Sequence, residues 1–149
     1  MKRWGLLALL WVVAAAGFAE AKQFAVVIDS ANSTNNITST ELGKIFSGHS
    51  RNWPDGKAIT VVVRDPSLTD MQIVARKLFN MSPDQARAFA RTHSGFIVVV
   101  DSDDAVIHSV ATTRGAIGLV DLYSLTKDVN VVKVDGKLPV EQGYALRGN

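Results

Sequence analysis

Val61-Val62-Val63-Arg64-Asp65-Pro66-Ser67-Leu68-Thr69-Asp70-Met71 is the stretch on which the reading of this chain turns. The apolar, β-branched run that begins at Ile59 reads as a buried strand ending at Arg64, because Pro66 has no N–H for a ladder and cannot continue it. Ser67 then stands three positions before Asp70, and Met71, Val74, Ala75 and Leu78 repeat at helical spacing. Strand, tight loop and helix follow one another without a linker.

The same grammar extends in both directions. Upstream, Phe24 to Ile28 reads as a short buried strand, and the Ser/Asn/Thr-rich stretch from Ser30 to Asn36 reads as a loop. Thr38 precedes Glu41 by a capping-box spacing, with Leu42, Ile45 and Phe46 on one helical face and Gly48 as the stop. Trp53-Pro54-Asp55-Gly56 is turn chemistry. Downstream, Ser82-Pro83-Asp84-Gln85 starts a second successive helix, from Pro83 to about His93. Phe96 to Val100 is a third strand, and Asp101, Asp103 and Asp104 lead into a helix that turns Ala105, Val106, Ile107 and Val110 inward. Gly115 to Val120 is a fourth strand, and Val129 to Val134 with Asp135-Gly136 reads as a closing hairpin. Strands apolar on both faces, alternating with helices, predict one α/β domain with a mostly parallel or mixed sheet and helices on both faces.

The 149 residues are 47% hydrophobic and 20% charged, which is globular composition, and they contain no cysteine, so disulfides, zinc thiolates and thiol nucleophiles are excluded. With 16 basic against 14 acidic residues and no polybasic block, a nucleic-acid partner is not indicated. Lys2 and Arg3, the uncharged apolar stretch from Trp4 to Phe18, and Ala19-Glu20-Ala21 have the layout of a secretory signal cleaved before Lys22. That stretch falls short of the ~20 residues that a membrane-crossing helix needs. The expected organisation is therefore a signal over residues 1–21 and one exported domain over 22–149, periplasmic in a Gram-negative cell, with no membrane span after cleavage.

Candidate chemistry centres on the Arg64 loop. A helix start at the carboxyl edge of a parallel strand offers backbone N–H groups, and Arg64, Ser67 and Thr69 could add a cation and two hydroxyls for an oxyanion such as phosphate. A plainer reading also stands: Ser67 caps the helix, and Arg64 pairs with Asp65 or Asp70. Asp101, Asp103 and Asp104 lack the further acids of a calcium loop, and His49, His93 and His108 have no ligand spacing, so no metal and no cofactor is expected. Without a nucleophile elbow, a phosphate-binding glycine loop or paired carboxylates, the chain does not read as an enzyme.

In order, Thr38-Ser39-Thr40-Glu41-Leu42-Gly43-Lys44-Ile45-Phe46-Ser47-Gly48, Asn52-Trp53-Pro54-Asp55-Gly56, the strand ending in Arg64, and Arg114-Gly115-Ala116-Ile117-Gly118-Leu119-Val120 resemble the phosphate-type periplasmic substrate-binding proteins of ABC transporters. The match runs from about Ile37 to Tyr123. It implies a fold like one lobe of a type II periplasmic binding protein, phosphate or a related oxyanion as ligand, and an ABC permease, a sensor or a second copy as partner. Two departures stand out. The family loop carries Ser-Gly-Thr, where this chain has Ser67-Leu68-Thr69 in a loop one residue shorter, and only the second of two lobes has a counterpart. The alternative is a module without a ligand, docking on a partner through the face the missing lobe would cover, with Trp53, Pro66 and Leu68 expected on neighbouring loops of that face.

Overall fold

The computed structural model describes residues 22–147; the expected signal at 1–21 lies outside the described residues. Six strands form one mixed sheet in the order β2-β6-β1-β5-β3-β4. They are β1 (Phe24–Asp29), β2 (Asn36–Ile37), β3 (Thr60–Arg64), β4 (Ile97–Val100), β5 (Ala116–Asp121) and β6 (Val129–Val134). Strand β3 runs parallel to both β4 and β5, pairing Val61 with Ile97 and with Ile117, while β1 runs antiparallel to β5 and β6. This polarity matters for function. It gathers the ends of β3, β4 and β5 and the beginning of β1 along one edge of the sheet.

Each helix forms for a local reason visible in the sequence. In α1 (Ser39–Phe46) the Thr38 hydroxyl accepts the Glu41 N–H at 3.1 Å, and Leu42, Ile45 and Phe46 are buried. In α3 (Pro83–Thr92) Ser82 and Gln85 form a reciprocal capping box ahead of Pro83. Ser102 caps α4 (Asp103–Thr112), and acids fill its first turn. The helix expected after Pro66 is irregular: a 3₁₀ turn (Thr69–Met71) passes through α2 (Gln72–Val74) into a π-helical segment (Ala75–Phe79). Asn80, at φ 55°, closes it in the left-handed region. Phe79 meets Phe46 of α1 and Phe89 of α3 edge-on, at ring-centroid distances of 5.7 and 6.2 Å, so the wider final turn lets one ring join three helices.

Two cores result, one on each face of the sheet. The larger joins Val26, Ile28, Val61, Val63, Ile117 and Leu119 to α1, α2 and α3, and the smaller joins Ala25, Val27, Val62, Ala116 and Val120 to Val106, Ile107 and Val110 of α4. Strand β6 does not close a hairpin as expected. It enters the sheet between β1 and β2, where Val132 and Val134 pack into the larger core on one face and Val129 into the smaller core on the other, and Asp135-Gly136 only bends the chain back to a single bridge at Lys137. The end of the described chain is tied down as well: the Tyr144 hydroxyl donates to the Phe24 carbonyl at 2.7 Å, and Leu146 is buried.

Candidate functional site

Arg64 closes β3 on the edge where β1 begins and β5 ends. Asp65 and Pro66 turn the chain immediately: the Asp65 side chain accepts the Ser67 N–H at 2.9 Å and the Ser67 hydroxyl at 2.7 Å, and the Asp65 carbonyl accepts the Leu68 N–H at 3.1 Å. Ser67 is therefore spent on its own turn and does not cap the helix. Leu68 occupies the cap position, with no side-chain cap bond.

Arg64 takes the pairing that the plainer reading foresaw. Its Nη1 donates to Asp70 Oδ2 at 2.6 Å, and Lys22 Nζ bonds the same carboxylate oxygen, with Asp121 Oδ2 4.0 Å from Lys22. Burial would push the Asp70 carboxyl up, but the hydrogen bonds from Lys22 and Arg64 outweigh it and hold the group below the ordinary aspartate range. Asp65 behaves alike: burial opposes its charge, while the two bonds from Ser67 and the nearby Arg87 and Arg91 favour it. The Arg64 side chain keeps 20% exposure, and among the described residues its only side-chain hydrogen bond is the one to Asp70. Thr69 is exposed, and neither its hydroxyl nor its N–H has a partner among the described residues.

Arg64, Ser67 and Thr69 thus share one loop, with the carboxylates of Asp70 and Asp65 taking the Arg64 and Ser67 donors. Lys22 is the member that sequence reasoning missed. Its place at the start of the expected mature chain was read only as a cleavage position, and nothing local ties it to a residue 48 positions away. Leu68 stands 39% exposed on the same loop, whereas Pro66 is buried. Trp53 is not a neighbour of this loop, contrary to expectation. Its indole N–H donates to the Gly115 carbonyl at 2.9 Å, ahead of β5 and so at the opposite edge of the sheet, where the ring is buried. Gly115 is required there: at φ 82°, a Cβ would lie 2.2 Å from the Ala58 carbonyl oxygen.

Residues 21–146 match the family model described as the PBP superfamily domain, and the chain belongs to that superfamily. No curated protein matches it. Among solved structures, PstS from Borrelia burgdorferi shares the fold over 87% of this chain and 56% of its own, at 22% identity and a TM-score of 0.71. A phosphate-binding protein from Stenotrophomonas maltophilia is similar over 80% of this chain and 41% of its own, at 20% identity and a TM-score of 0.66. An ABC-type phosphate transport receptor from Vibrio cholerae is similar over 80% and 49%, at 20% identity and a TM-score of 0.59. The chain spans about half the length of these proteins.

Proposed function

We propose that this PBP-superfamily domain is exported to the periplasm, is not an enzyme, and offers one half of an oxyanion site, with Arg64 and Thr69 as the contacts, Ser67 joining them only by turning its hydroxyl from Asp65 to the ion, and phosphate as the anion to test first. The observation that carries the reading is Arg64 itself: a partly exposed guanidinium at the carboxyl end of a parallel strand, with N–H groups to spare beyond its bond to Asp70. The likeness to phosphate-binding proteins supports the choice of anion. Asp65 and Asp70 oppose a second anion, and a single lobe leaves half of the ion in water. Affinity is therefore expected near the millimolar range, about −4 kcal/mol. A second lobe, an ABC permease or a sensor that completes the site would tighten it.

Calorimetric titration of the domain with phosphate tests this. Arg64→Ala should weaken binding about tenfold to a hundredfold, the worth of a charge-assisted hydrogen bond, without unfolding the domain. Unchanged affinity in that variant removes Arg64 from the site. The exposed Leu68 favours a second reading, in which the loop carries no ion and the domain docks on a periplasmic partner. Wild-type protein that binds no oxyanion at about 10 mM, well above the expected dissociation constant, selects that reading.

A further inference from the structure

The two edges of the sheet are guarded very differently. One ends in β2, which is only two residues long. The other ends in β4, which reads Ile-Val-Val-Val, holds no charge, proline or glycine, and leaves Val98 36% and Val99 46% exposed. An open, flat, β-branched edge is a template for another strand unless something covers it. Because the Phe96 carbonyl accepts the Val61 N–H, alternation along β4 turns the backbone groups of Phe96, Val98 and Val100 toward β3. The N–H and C=O of Val99 and the C=O of Ile97 therefore face the open side, the Ile97 N–H being held by the His93 carbonyl.

The charges at the two ends of this edge differ in sign. Asp101, exposed, follows its carboxyl end. At the amino end the Arg51 guanidinium lies 4.2 Å from the Phe96 ring centroid. A strand uncharged in its middle, with an acid at one end and a base at the other, is complementary to itself when reversed.

We propose that a second copy of this chain pairs antiparallel along β4, about a two-fold axis at Val99, extending both sheets into one. In that register the two Val99 residues exchange N–H···O=C bonds, each Asp101 N–H reaches the Ile97 carbonyl of the other copy, and Val98 faces Val100. Each Asp101 carboxylate comes to the Phe96 end of its partner, where Arg51 lies, whereas a parallel pair would set acid beside acid. The interface is isologous and closes, so it yields a dimer and not a fibre. It stands independently of the oxyanion reading.

Sedimentation over a wide concentration range should show a monomer–dimer equilibrium. Val99→Pro removes an outward N–H that has no acceptor among the described residues, and Val99→Lys sets two like charges across the axis; both should abolish the dimer while leaving circular dichroism unchanged. The chain has no cysteine, so Val99→Cys carries the sole thiol. Opposed Cα atoms of such a pair lie about 5.5 Å apart, within disulfide reach, and mild oxidation should cross-link this variant but not Asn130→Cys on β6. A wild-type monomer at every concentration overturns the proposal. So does a dimer that both folded Val99 variants retain, or cross-linking of Asn130→Cys as readily as Val99→Cys. Should both substitutions unfold the chain, the cross-linking comparison decides.

Discussion

Arg64 and Asp70 are six residues apart, yet what they do depends on Lys22. An aspartate in the unfolded chain titrates near 3.9, and the two cations hold the native Asp70 carboxyl lower. Its contribution to stability is therefore complete above about pH 4 and is lost as pH falls through the lower native value. Asp70→Asn should be less stable than wild type at neutral pH but should lose less on acidification from about pH 4 to 2, a difference that urea midpoints across that range would show. The same variant releases Arg64 and removes a charge that repels anions. Phosphate titration should then give a tighter constant than wild type if Arg64 is a contact, and equal constants would count against it. The residues of this cluster that lie on one loop were legible in sequence order. The pairing of Arg64 with Asp70 was one of the two readings the sequence allowed, whereas the approach of Lys22 was not legible, because it rests on where β1 begins relative to the end of β3.

Among the elements, helices announced by side-chain caps were readable to within a residue or so: Thr38 before α1, and Ser82 with Gln85 around α3. The segment after Leu68 has apolar spacing without a cap, and spacing of that kind does not distinguish α from 3₁₀ or π geometry. Its form is set by docking, since Met71, Val74, Leu78 and Phe79 are all buried and Phe79 must meet two other rings. Gly118 poses the complementary case. The sequence marks a glycine inside a strand, and only packing supplies its reason: a Cβ there would lie 2.7 Å from Val106 Cγ1 and 2.9 Å from Val110 Cγ2, both on α4. Gly118→Ala should push α4 off the sheet and destabilise the domain by about 1–3 kcal/mol, read from the denaturant midpoint at unchanged slope.

For the whole chain, the export reading makes a direct demand. Protein recovered from a native-like host should begin at Lys22 and appear in the osmotic-shock fraction, and an intact Met1 in the membrane pellet would contradict it. Cleavage there would leave Lys22, a partner of Asp70, as the first residue, so the processing site and the candidate site share a side chain. The α/β class and the run of elements from α1 to β5 were legible in the sequence, because buried strands, helix caps and turn residues write themselves locally, while membership of the PBP superfamily was legible through the resemblance of its ordered motifs to a known family. The antiparallel course of β1, the insertion of β6 beside it, the removal of Trp53 to the far edge and the approach of Lys22 to the part-exposed Asp70 were decided by the tertiary structure alone. Each joins residues distant in the chain, and the free energy that selects them is the burial of side chains against neighbours no local pattern names.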